Sequence, residues 1–134
     1  MTAYTIVSEP PSPADFLRLR REAGMAARSR AAVEKGLPNT IYGVTVYHDD
    51  RAIGMGRIVG DGGAVYLISD MAVEPAHQGN GVGTRIMERL MEYLDTNAVE
   101  SAYITLIADV DGFYERFGFE PVQPESKGMY RRIT

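Results

Sequence analysis

A chain of 134 residues with 45% hydrophobic and 24% charged side chains has the composition of one ordinary globular domain, expected to span residues 1–134. Its 18 acidic residues outnumber 14 basic ones, and the net charge of −4 argues against nucleic acid as a main partner, because phosphate neutralisation needs a basic surface. There are no cysteines, so disulfides, zinc–thiolate centres and a thiol nucleophile are excluded, and with His48 and His77 the only histidines no metal site is expected. No apolar stretch approaches a membrane span. The first residues carry neither a basic n-region nor an apolar h-region, so a cytoplasmic protein with no membrane partner is expected.

Residues 3–7 are rich in strand formers and predict a first strand. Pro10, Pro11 and Pro13 make residues 8–13 a connector, and Ser12 before Pro13 reads as a helix start with serine as N-cap. Phe16, Leu17 and Leu19 supply that helix with apolar positions, and it should end near Gly24. A second short helix is predicted over residues 29–35, stopped by Gly36 and Pro38. From Ile41 the apolar period changes to two. Residues 43–47 and 52–59 predict strands on either side of a turn at 48–51. A second tight turn at 60–63 leads into a third strand of the meander, residues 64–73. Val82, Ile86, Met87, Leu90, Met91 and Leu94 keep helical spacing and predict a long amphipathic helix over 82–95. Residues 103–108 are almost wholly apolar, as a central strand requires; 111–117 predict a short helix stopped by Gly118, and 129–133 a last strand. Antiparallel strands followed by a strand–helix–strand unit imply an α/β (α+β) fold with a mixed, mostly antiparallel sheet and helices on both faces.

The most informative stretch is Gln78-Gly79-Asn80-Gly81-Val82-Gly83-Thr84, which joins the third meander strand to the long helix. Alternating glycines turn the backbone tightly and leave its N–H groups unshielded. The helix adds its own unpaired N–H groups and the positive end of its dipole. Together these make a receptor for a phosphate or diphosphate. A P-loop is excluded because its closing Gly-Lys-Ser/Thr is here Gly83-Thr84-Arg85, without the lysine, and a dinucleotide fingerprint is excluded because Thr84 stands where its last glycine belongs.

What fits is Q/R-x-x-G-x-G/A, here Gln78, Gly81 and Gly83, with Met71, Ala72, Val73, Glu74 and Pro75 just upstream. This resembles the acetyl-CoA loop of the GCN5-related N-acetyltransferase (GNAT) superfamily. Phe113, Tyr114, Gly118 and Phe119 match that superfamily's F-Y-x-x-x-G-F segment. Residues 125–129 also resemble the C-terminal segment of small-amine members, including aralkylamine types. The resemblance covers nearly the whole chain and implies a GNAT-like sheet splayed between two central strands. It implies an acyltransferase that uses acetyl-CoA as cosubstrate without a metal and moves its acetyl group to a primary amine by direct attack. An acidic chain favours a small acceptor such as an amine metabolite, amino acid, aralkylamine or polyamine. A homodimer is implied as well.

The resemblance places the CoA diphosphate on Gln78, Gly79, Asn80, Gly81, Val82, Gly83 and Thr84, and the pantetheine arm along Met71, Ala72 and Val73, one of whose N–H groups could steady the thioester oxygen. Tyr114 is the candidate general acid, since a phenol with pKa about 10 stays protonated at neutral pH and can protonate a departing thiolate. The glutamate base of histone-type members falls at Leu67 here and is missing. Asp70 and Ser69 are the local candidates, with water relayed by backbone carbonyls as the competitor. The asparagine common before the tyrosine segment is also absent; Asp109 and Asp111 occupy that stretch. Candidate substrate-binding residues are Arg28, Arg30, Tyr42, Arg57 and Met129, with Arg28 or Arg57 suited to a carboxylate. A non-catalytic acyl-CoA-binding or sensing module, or a protein N-terminal or lysine acetyltransferase, are the alternatives.

Overall fold

A computed structural model describes residues 3–134 and contains one five-stranded sheet. In chain order the elements are β1 (Thr5–Val7), α1 (Pro13–Glu22), α2 (Arg30–Gly36), β2 (Tyr42–His48), β3 (Arg51–Gly60), β4 (Val65–Val73), α3 (Val82–Asn97) and β5 (Tyr103–Thr105), with short 3-10 turns at Leu37–Asn39, Pro75–His77 and Tyr114–Phe117. The strands lie in the order β1-β2-β3-β4-β5; β1 to β4 form an antiparallel meander, and β4 pairs with β5 in parallel. This is the mixed, mostly antiparallel sheet flanked by helices that the sequence predicts. None of its helices is long and apolar enough to cross a membrane, among the described residues.

Local chemistry sets most of the boundaries. The Ser12 and Ser29 side chains accept the N–H groups of Asp15 and Ala32, so each caps its helix. The β2–β3 hairpin turns on Asp49 and Asp50, both at positive φ (49° and 66°), the twist-matched two-residue turn that aspartate tolerates. Before β4, the Asp61 carboxylate accepts the N–H groups of Gly63, Ala64 and Val65 at 2.8–3.0 Å, and those bonds hold it below the usual carboxylate range.

The sheet carries a core on each face. On one side Val44, Val46, Ile53, Ile58, Tyr66 and Ile68 meet Val82, Ile86, Met87, Leu90 and Leu94 of α3. On the other, Phe16, Leu19, Val33 and Leu37 from the α1–α2 region meet Ala52, Met55 and Ala72. β4 changes sides midway. Met55 pairs with Ala72 but Arg57 pairs with Ser69, so Asp70 and Met71 together oppose Gly56. Asp70 adopts φ 60° to make this bulge. The extra residue reverses the alternation: Tyr66 and Ile68 face α3, whereas Asp70 and Ala72 face α1.

Two expectations for the C-terminal third are corrected. Residues 103–108 form no central strand: β5 covers Tyr103–Thr105 alone and lies at the sheet's edge, paired with β4 only over Val65–Leu67. Residues 129–133 form no strand at all, and Met129, Tyr130 and Ile133 are 82–90% exposed. Strand propensity expresses fit to a neighbouring pleated surface, and β5 stops before offering these residues one.

At Gly56 side chains of α3 pack directly against the sheet backbone. A Cβ there would sit 2.6 Å from Met71 Sδ and 2.7 Å from Ile86 Cγ2. We expect Gly56→Ala to cost about 1–3 kcal/mol, seen as a lower urea midpoint with an unchanged slope.

Candidate functional site

The glycine loop is fastened at its edges and open in its middle. Glu74, at the end of β4, donates its N–H to the Ile53 carbonyl at 2.7 Å. Its carboxylate accepts from Arg18 at 3.1 Å and Arg51 at 3.0 Å. Burial works against its charge, but the two arginines prevail and hold it below the usual range. The Gln78 amide donates to the Val73 carbonyl at 3.0 Å, so this side chain braces the loop against the strand. Asn80 donates to the Tyr4 hydroxyl at 3.2 Å, and that hydroxyl bonds His77 Nδ1 at 2.9 Å. Among the described residues, the backbone N–H groups of residues 79–84 have no hydrogen-bond partner; the first amide engaged by the helix is that of Arg85, donating to Gly81 at 3.1 Å. Gly79 and Gly81 take φ 84° and 78°, a conformation that glycine adopts freely, and nothing lies within 4 Å of where a Cβ on either would stand.

A cation stands beside that space. Arg116 donates to Thr84 Oγ1 at 3.2 Å, with its guanidinium over the rings of Phe113 and Phe117 at 5.4 and 5.6 Å. Arg116 occupies a variable position of the tyrosine segment, so no motif singles it out. Phe113 in turn reaches within 3.7 Å of where a Gly83 Cβ would lie. The two sequence motifs therefore meet in space.

A cavity of about 880 Å³ opens on the α1 side of the sheet. Its walls are the α1–α2 connection, residues 67–71 of β4, Leu106, Tyr114 and residues 128–132. Among the described residues, β4 has no strand beside it on the β5 side past Leu67, where β5 ends, so the backbone of residues 68–73 forms a bare sheet edge beside the cavity. Of the residues singled out from sequence, Arg28, Ser69, Asp70, Met71, Tyr114 and Met129 line the cavity. The half-buried Tyr114 phenol is pushed above its ordinary pKa by burial and then by the charge of Asp109.

Four candidates stand elsewhere or are otherwise engaged. Tyr42 stacks on Tyr93 of α3, 4.6 Å between ring centres, on the opposite face of the sheet, and shares a hydrogen bond with Ser8. Arg30 pairs with Glu34 along α2 at 2.7 Å. Arg57 donates to Asp70 Oδ2 at 2.7 Å and to Thr40, with Phe16 against its guanidinium. Asp70 is the most altered reading. Its other oxygen accepts from Arg20 at 2.6 Å, and its side chain is 5% exposed. Both oxygens thus carry charge-assisted bonds to cations, so neither is left free to face an incoming amine. Arg20 also grips the Ala26 carbonyl through Nε and Nη2 at 3.0 and 2.7 Å, so the pair ties the α1–α2 connection to the bulge. No spacing in the sequence marks Arg20.

The sequence model of the acetyltransferase (GNAT) domain matches residues 40–121. A crystal structure of a protein of unknown function from meticillin-resistant Staphylococcus aureus, named there as a probable acetyltransferase, superposes with a TM-score of 0.94. The two share 46% identity over 98% of this chain and 100% of that one. An uncharacterized ycf52-like N-acetyltransferase of Prochlorococcus marinus is 28% identical over 87% of the chain. GCN5-related N-acetyltransferase 1, chloroplastic, of Arabidopsis thaliana is 32% identical over 79%. The chain spans 68% and 55% of the length of these two relatives.

Asp70→Asn preserves shape and tolerates positive φ but leaves two guanidiniums without a counter-charge. We expect it to cost on the order of 3 kcal/mol in chemical denaturation. A residue serving only as a base would instead lose turnover at unchanged stability.

Proposed function

Because the chain belongs to the GNAT acetyltransferase family, we propose that it transfers the acetyl group of acetyl-CoA to a primary amine of a small molecule by direct attack. The observation that carries this reading is the run of unengaged amides at residues 79–84, opening a helix as long as α3 with Arg116 at its side. That donor set suits a diphosphate, and the open space over Gly79 and Gly81 is what its close approach needs. The strand edge of residues 68–73 would take the pantetheine arm as an added strand, which leads the thioester from the loop to the cavity at the bulge.

The chemistry then follows from the residues at the cavity. The amine lone pair attacks the thioester carbonyl carbon, and a backbone N–H near Met71 or Val73 steadies the oxygen as it gains charge. The carbon–sulfur bond breaks, and Tyr114 delivers its proton to the departing sulfur. The proton released by the attacking nitrogen leaves through water, since Asp70 is held by Arg20 and Arg57. The tyrosinate recovers a proton from solvent before the next cycle. No covalent enzyme intermediate is required.

The lack of an unpaired carboxylate base at the bulge also fits an acyl-CoA sensor without turnover, and one variant separates the two. We expect Tyr114→Phe to keep acetyl-CoA affinity by calorimetry and to lower kcat by about 10²–10⁴. No heat on titrating acetyl-CoA into the native protein would remove both readings. The pH profile gives a second check. A raised phenol pKa keeps Tyr114 protonated to higher pH, so kcat should hold until above pH ~10. Asp109→Asn removes the charge that favours the neutral phenol and should move that alkaline limb to lower pH.

A further inference from the structure

The walls of the cavity carry charge opposite to that of the whole chain. Four arginines line it, Arg20, Arg28, Arg131 and Arg132, against Asp70 and Asp109, although the net charge of the chain is −4. Asp70 is already shared by Arg20 and Arg57, so that group by itself retains a positive charge. Among the described residues, Arg28, Arg131 and Arg132 have no carboxylate within ion-pair distance: Arg28 only touches the Ala27 carbonyl at 3.3 Å, and Arg132 rests on the ring of Tyr130. The like charges are close enough to be felt. Burial depresses the Arg20 guanidinium, Asp70 raises it, and Arg28 and Arg132 both push it further down. The phosphates of acetyl-CoA do not account for the cluster, since residues 79–84 do not line the cavity.

We propose that the acceptor is an anionic primary amine, its amino group directed to the splay beside Tyr114 and its carboxylate or phosphate held by Arg28, Arg131 and Arg132. The proposal rests on the acetyl-transfer reading and narrows its substrate. Guanidiniums bind such oxyanions bidentately, and each charge-assisted bond is strong where water is partly excluded. A cationic polyamine would meet repulsion in the same place.

The test measures CoA thiol release with matched acceptors at saturating acetyl-CoA. One arm pairs amino acids with their carboxamides and decarboxylated amines; a second pairs O-phosphoethanolamine with ethanolamine. The expected result is a kcat/KM at least about tenfold higher for the anionic member of one arm, and the arm that shows it identifies the oxyanion. Added salt should raise KM for that member. Exchanging Arg28, Arg131 and Arg132 for glutamine should raise its KM and erase the difference within the pair. Equal or better turnover of the neutral members overturns this inference and leaves acetyl transfer standing. No thiol release with any primary amine overturns both.

Discussion

One residue too many in β4 organises the functional half of this molecule. The bulge at Asp70 and Met71 reverses which side chains face α1 and which face α3, and it lies just past the point where β5 parts from β4. An L-residue at φ 60° in mid-strand costs on the order of 1–3 kcal/mol. What holds it is the charge pair: Arg20 from α1 and Arg57 from β3 close on the two oxygens of one carboxylate from opposite sides. A buried ion group of this kind adds little net stability over an apolar replacement, because desolvation offsets most of the attraction. It does penalise every arrangement in which the carboxylate misses its partners, and in that sense the triad specifies a geometry.

Electrostatics in this chain are local, and the bulk count hides them. Net charge governs solubility and long-range steering, while potential inside a cleft follows the few charges on its walls. Two positively disposed regions lie on either side of the bulge. One is built from backbone amides, a helix dipole and Arg116; the other is built from guanidiniums around a cavity. Some of the acidic residues behind that count are engaged elsewhere. Glu74 and Glu22 tie α1 to β3 through Arg18 and Arg51, and Asp61 serves its own turn.

What could be read from sequence divides along a physical line. Signals that act within a few residues were legible: the serine cap of α1, the two-aspartate hairpin, the apolar stripe of α3 and the glycine loop all depend on neighbours in the chain. Sidedness and long-range pairing were not legible. Arg57 and Tyr42 belong to the same meander, but strand alternation sends one to the α1 face and the other to α3. Asp70 looked available because nothing in a linear chain shows that Arg20, fifty positions away, comes within 2.6 Å. The last strand failed for a related reason: its apolar residues need an edge, and β5 ends at Thr105.

The same division explains why catalysis here need not rest on many side chains. Backbone amides and a bare strand edge can bind a long cosubstrate whatever residues supply them, so most of the site is a property of backbone path. The side chains with chemistry of their own are then few. Burial and Asp109 both resist ionisation of Tyr114, so under the proposed mechanism the phenol still carries its proton when negative charge forms on the departing sulfur. The triad at Asp70 acts on the cavity itself: by fixing the α1–α2 connection through Ala26, it sets one of the cavity walls. Loosening that carboxylate would therefore disturb the cavity wall and the β4 bulge together, whether or not Asp70 takes part in any proton transfer.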